Sequence, residues 1–305
     1  MAGLVVLEKM VMLVLLMLVG FLAAKGKWVD ESFGQKASFL VANVFIVATI
    51  LASVVGMEPL FSGRELVVSV VAVFILFAIG GVLGWICAKL LPLSPGDRTA
   101  AWLSVFFMNN VFIGFPVVEA LFGQNAVFCA ALTGLPFNLL LFSLGISRLR
   151  AGQGRGRVKL REVFSPALIA TLISILFFLG QIPFPRLVAD TVQTLGGATV
   201  PLSMVIIGIS LSQVPIREAL TDWRAYGVSL VRLVLCPLVV WAVLRLFVGG
   251  TVLGVLTVIA ACPSGAMITI LSLRYGVDET FATRVNFVST VLCAGTLPLV
   301  THILL

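Results

Sequence analysis

Charge is scarce in this sequence. Only 11% of its 305 residues are Asp, Glu, Lys or Arg, where a soluble domain carries roughly a quarter. So few polar side chains cannot cover a water-facing body of this size, which excludes a soluble globular fold. Histidine is nearly absent: His302 stands alone near the C-terminus. The five cysteines (Cys87, Cys129, Cys236, Cys262 and Cys293) lie in apolar runs without paired spacing. Buried cysteine usually behaves as a small hydrophobe, so no disulfide framework, no metal site and no cofactor are expected. A histidine-based catalytic set has no material, and the apolar runs hold no paired aspartates, so an enzyme is not expected. No small-residue cleavage pattern follows the first apolar run, which Glu8 and Lys9 interrupt; it reads as a retained span.

Apolar length is what the chain has in plenty. It is 60% hydrophobic, with a mean hydropathy of +1.18. A spanning helix needs about 20 apolar residues. Runs of that kind fall at 5–24, 36–56, 65–91, 99–123, 126–147, 163–183, 191–213, 225–247, 251–273 and 282–304. The expected fold class is an all-α polytopic membrane protein with ten transmembrane helices and no soluble domain. The fourth and fifth runs are separated only by Gly123-Gln124-Asn125.

The basic residues support that number. When the loops are sorted alternately, 15 Lys and Arg fall on one side and 3 on the other. Such a bias marks the rich side as cytoplasmic, which puts both termini outside and the chain in the cell (inner) membrane. The net charge of +7 therefore reflects topology, and no nucleic-acid partner is expected. The densest basic stretch, 148–162, reads either as a linker between halves or as a lipid-binding or regulatory patch.

That linker divides the chain into 1–147 and 163–305, with five runs on each side. An odd number per half obliges the second half to insert upside down, and inverted repeats of this kind characterise secondary transporters. The fourth run contains "MNNVFIGFPVVEALFG" and the ninth "IAACPSGAMITILSLRYG". Each carries polar residues, Gly and Pro near its centre. Pro116 and Pro263 lack a donor, and Gly114 and Gly265 let the chain turn. The expectation is that both helices break at mid-membrane and cross. Their half-helix amino ends would then face a common site. The side chains there are Asn109, Asn110, Cys262 and Ser264, with no acid, which suits an anion rather than a cation. Isolated kinks for helix packing are the alternative reading.

Several polar positions stay open at this point. Glu119 reads as a proton carrier or as an interfacial acid. Arg232 reads as a cation snorkelling to the helix end or as a counter-ion for an anionic guest. Asn43, Asn138, Asn286, Ser289 and Thr290 read as cavity lining or as helix-packing hydrogen bonds. Pro201 and Gly208 read as a kink or as a wall of the site, and the Gly80, Gly81 and Gly84 cluster reads as close packing.

The stretches "NNVFIGFPVVEALFG", "LGGATVPLSMVIIGISL" and "CPSGAMITILSLRYGVDETFATRVNFVSTVLCAGTLPLV", with Ser165-Pro166 opening the sixth run, resemble the auxin efflux carrier family. Its bacterial members include malonate-type transporters. The resemblance covers essentially the whole chain. It implies two inverted five-helix repeats, similar in arrangement to the bile-acid sodium symporters. Helices 1, 2, 6 and 7 would form a scaffold, often the homodimer surface, and helices 3–5 and 8–10 a transport domain. It also implies organic-anion substrates held by Asn109, Asn110, Pro116, Pro263 and Ser264. One departure is Val47, which stands where the family pattern N-x-x-x-P after Asn43 places a proline; a straighter second helix is expected. The expected function is a secondary transporter of a small organic anion by alternating access. Sodium or proton coupling is left open, as are a symporter of a neutral or zwitterionic solute and a transport-inactive receptor.

Overall fold

A computed structural model describes residues 2–56, 63–149, 164–213, 221–274 and 280–305. Of the basic stretch 148–162, all but Arg148 and Leu149 lies outside the described residues. Among the described residues the chain is helical, with no strand beyond one isolated bridge. The helices are α1 (Ala2–Lys25), α2 (Ser32–Ala52), α3 (Gly63–Leu90), α4 (Pro95–Phe106), α5 (Asn110–Phe122) and α6 (Ala126–Leu149). They continue with α7 (Pro166–Gly180), α8 (Arg186–Gln213), α9 (Trp223–Leu244), α10 (Gly250–Ala260), α11 (Ala266–Arg274) and α12 (Thr280–Leu304). Among the described residues six of them are long and apolar enough to cross a membrane, and four shorter ones are also apolar. Each of the ten apolar runs contains at least one of these helices, so this is a multi-pass membrane protein.

Local chemistry sets the helix ends. Ser94 and Ser165 accept hydrogen bonds from Asp97 N and Leu168 N, each followed by a proline in the first turn. Gly123, at φ +85°, ends α5 and turns the chain into α6.

Two pairs of helices dominate one flank. α1 packs along α8, and α2 packs against α7 and α8. Gly20 and Gly208 bring the α1 and α8 backbones together: a Cβ on Gly208 would lie 1.9 Å from Met17 O, and one on Gly20 1.9 Å from Val205 O. Thr49 Oγ1 donates to Thr199 Oγ1 at 2.7 Å, and Ser174 Oγ to Ile50 O at 3.1 Å, so polar bonds tie α2 to α8 and α7. α8 kinks at Ala198. On the other flank α3 packs on α4 through Gly80, Gly81 and Gly84, and Trp102 Nε1 donates to Gly81 O at 3.0 Å. Phe77, Phe106, Phe107 and Phe137 fill the space between α3, α4 and α6.

Among the described residues four π-turns interrupt the helices, at Val41–Phe45, Asn110–Gly114, Leu141–Gly145 and Val231–Leu235. Pro116 and Pro237 each stand two residues after one. A slipped ladder tolerates a residue without an N–H. Val47 occupies the same register after Val41–Phe45. The second helix thus carries its π-turn without the proline.

Candidate functional site

The interruptions between α4 and α5 and between α10 and α11 meet. Gly265 N donates to Phe107 O at 2.9 Å and Asn109 N to Pro263 O at 2.8 Å, forming a reciprocal antiparallel bridge around Met108 and Ser264. The bridge satisfies backbone groups that would be left bare in hydrocarbon, where each would cost several kcal/mol. The first break lies at Phe107–Asn109, before the Gly and Pro expected to cause it. Gly114 is within a π-turn and Pro116 in the following helical turn. Their places have steric reasons. A Cβ on Gly114 would fall 2.6 Å from Ile259 Cδ1, so glycine lets α5 press on the end of α10. Pro263 lies in the second break, and a Cβ on Gly265 would approach Met108 O to 3.2 Å.

The amides divide the work. Asn109 caps its own half-helix, accepting from Phe112 N at 3.3 Å. Asn110 is buried and donates Nδ2–H to Thr133 Oγ1 at 2.9 Å. Thr133 was not singled out in the sequence; its signal is the "TGLP" interruption inside α6, where the helix is broken by a turn. Ser264 N donates to Ser289 Oγ at 3.2 Å, and Ser289 and Thr290 donate to Asn286 O. α12 is thereby fastened to the crossing. Ser264 Oγ, Asn286 Oδ1 and Thr269 Oγ1 are buried without a hydrogen-bond partner among the described residues. Cys262 is fully buried, and all five cysteines are free. Asn43 and Asn138 are not drawn in. Each bonds a carbonyl of its own helix, Asn43 Nδ2 to Phe39 O and Asn138 Nδ2 to Gly134 O.

The half-helix amino ends differ in access. Ala266 and Met267, the first residues of α11, are exposed, whereas Asn110 at the start of α5 is covered. No Asp or Glu stands in either break. Glu119 lies further along α5, half-buried, with Oε2 unpartnered among the described residues. Beside α5 a hollow of about 30 Å3 is bounded by Met17, Ile113, Val117, Met204, Thr290 and Cys293, among others.

Arg232 is where expectation and structure part. It does not snorkel: it is 1% exposed, inside the Val231–Leu235 π-turn. Nε donates to Cys262 O at 2.9 Å, Nη1 to Val105 O at 2.9 Å, and Nη2 to Ala260 O at 2.8 Å and Ile259 O at 3.4 Å. The guanidinium is committed to helix carbonyls rather than held free for a guest.

At the starts of α4, α9 and α12 a charged cluster forms. Asp222, its side chain 7% exposed, receives Arg224 at 2.9 Å and Arg284 at 3.4 Å, and Arg224 also reaches Asp97 at 3.3 Å. Burial works to raise the Asp222 carboxyl, but the hydrogen bonds and charge of Arg224, with Arg284, outweigh it and hold the group below its ordinary value.

A multi-pass helical protein whose interrupted helices bridge inside the apolar core belongs structurally with membrane carriers. Comparison with known proteins makes this specific. Residues 5–147 and 155–301 match the family described as membrane transport protein, and the chain belongs to that family. The resemblance to auxin efflux carriers is borne out. A protein named an uncharacterized transporter from Methanothermobacter thermautotrophicus is 27% identical over 296 residues, covering 96% of both chains. Another, from Methanocaldococcus jannaschii, is 25% identical over 296 residues, covering 93% of this chain and 94% of the relative.

Proposed function

We propose that the protein is a secondary carrier of a small organic anion, a carboxylate of malonate or auxin type, working by alternating access and not as an enzyme. The observation that carries this reading is the reciprocal bridge between Phe107–Asn109 and Pro263–Gly265. It brings the amino ends of α5 and α11 to one place with no acidic side chain in either break. Backbone amides there favour a negative charge. Asn109, Asn110, Gly114, Pro116, Cys262, Pro263, Ser264, Gly265 and Asn286 would frame that place.

In this reading α4 with α5 is one broken span and α10 with α11 another, giving ten spans in two inverted halves joined by 148–162. The pairings α1 with α8 and α2 with α7 support it, because exchanging the halves turns one pairing into the other. Helices α1, α2, α7 and α8 would form a scaffold and a homodimer surface in the lipid bilayer, with the remaining helices moving against it. The carrier would sit in the cell membrane with both termini outside and the basic linker in the cytoplasm.

A second reading, a sodium- or proton-coupled symporter of a neutral or zwitterionic solute, is favoured by the unpartnered oxygens of Ser264, Thr269 and Asn286 and by the half-buried Glu119. Uptake of labelled malonate into proteoliposomes, with and without sodium and pH gradients, separates the readings. Gradient-independent or gradient-stimulated malonate uptake supports the carrier. Uptake of neutral or zwitterionic solutes alone supports the second reading, and binding without uptake indicates a receptor. Asn110→Ala breaks the bond to Thr133 and should weaken malonate uptake at least several-fold; unchanged rate and affinity would remove the crossing from the site.

A further inference from the structure

Arg232 carries a full charge with 1% exposure in an apolar span. Among the described residues no carboxylate lies within ion-pair distance of it. Buried charges persist only when something compensates them. The compensation here comes from carbonyls: Val105 O in the last turn of α4, Ile259 O and Ala260 O in the last turn of α10, and Cys262 O just beyond. A helix carboxyl end carries about −0.5 elementary charge. Two such ends amount to about one negative charge, which one guanidinium matches. The amino ends of α5 and α11, at the same crossing, carry about the opposite charge, and no acidic side chain stands in either break to offset it.

We propose that Arg232 is a positioning residue for the site. Its guanidinium grips the carbonyl ends of both broken helices and cancels their negative charge. The crossing is left with about one positive charge for a carboxylate to neutralise. The second half of this statement rests on the carrier reading above; the grip itself does not. The planar guanidinium suits the task, because it offers five donors in one fork. A lysine supplies the charge from a single point, and a glutamine supplies a donor without charge.

The test uses the full chain in proteoliposomes, as wild type, Arg232→Lys and Arg232→Gln. Malonate uptake is measured against concentration, and alkylation of Cys262 by N-ethylmaleimide is followed by peptide mass spectrometry. Arg232→Gln is expected to raise KM for malonate by about tenfold or more, and Arg232→Lys, which keeps the charge but loses the fork, by a smaller factor. Alkylation of the otherwise buried Cys262 should quicken in Arg232→Gln. An unchanged KM in both variants would overturn the proposal. An equal rise in both would also overturn it, because it would leave a brace without an electrostatic role. If the wild type takes up no malonate, the carrier reading fails, and the alkylation arm still decides the grip: Cys262 as protected in Arg232→Gln as in wild type would refute it. If Arg232→Gln does not fold, Arg232→Lys decides alone. A rise in KM well below about tenfold together with quickened Cys262 alkylation then supports the proposal, and a rise of about tenfold or more, or a Cys262 as protected as in wild type, overturns it.

Discussion

Replacing Gly208 by alanine should force α1 and α8 apart. The added Cβ falls 1.9 Å from Met17 O and 2.8 Å from Phe21 N, both backbone atoms that cannot rotate aside. A carbon beside a carbonyl oxygen needs about 3.3 Å, so the helices must separate by about 1.4 Å at that level. Overfilling a packed interior typically costs about 1–3 kcal/mol. Because the obstacle is backbone, the upper end, about 3 kcal/mol, is expected. Gly197 provides the control on the same helix. Nothing lies within 4 Å of its Cβ position, so Gly197→Ala should gain up to about 1 kcal/mol from helix propensity. Thermal melting of the purified protein in lipid nanodiscs reads both. Gly208→Ala should melt well below wild type and Gly197→Ala at or above it. If the two variants melt together, the backbone-to-backbone packing of α1 and α8 is wrong.

Other outcomes follow from the crossing and the charged cluster. Native Cys262 should resist aqueous thiol reagents, being fully buried, while Met267→Cys, at a position 45% exposed, should react readily. Equal protection of both would mean that the amino end of α11 is sealed. The Asp222 carboxyl has a lowered pKa in the fold, so its ion pairs stabilise the protein above the ordinary aspartate value of about 3.9 and are lost as pH falls below that value through the folded one. Asp222→Asn should flatten the acid limb of a melting-temperature profile; a limb as steep as wild type would place the acid sensitivity elsewhere.

Sequence pattern located the crossing because its cause is local: polar residues, Gly and Pro concentrated in the fourth and ninth apolar runs. The break itself lies at Phe107–Asn109, at the amino edge of the stretch from Asn109 to Pro116 that the pattern marked. Gly114 proved to be needed for its missing side chain, against Ile259, and Pro116 tolerates a helix whose ladder has already slipped. The snorkelling reading of Arg232 fails because its partners are backbone carbonyls. Carbonyls carry no signature in a sequence, and only the fold brings α4 and α10 within reach of one side chain. The bond from Asn110 to Thr133 was hidden for a related reason, since it joins residues in different apolar runs.

The π-turns lead to a last prediction, at Val47. In α2 the Ile46 N–H reaches back five residues to Val41 O, as Phe115 does to Asn110 O in α5 and Cys236 to Val231 O in α9. In the latter two helices the next residue is proline. A proline inside a regular helix costs about 3 kcal/mol or more, through its missing donor and its contact with the carbonyl four residues back. After a π-turn that carbonyl has already been displaced by the extra residue in the loop. Val47→Pro should therefore cost about 1 kcal/mol or less, well under the ordinary interior penalty. Ile50→Pro, at a buried position one turn further into the regular part of α2, should incur the whole of it. Melting temperatures of the two variants decide the matter. If Val47→Pro is as damaging as Ile50→Pro, the slipped ladder of α2 does not accommodate proline, and the parallel with α5 and α9 fails.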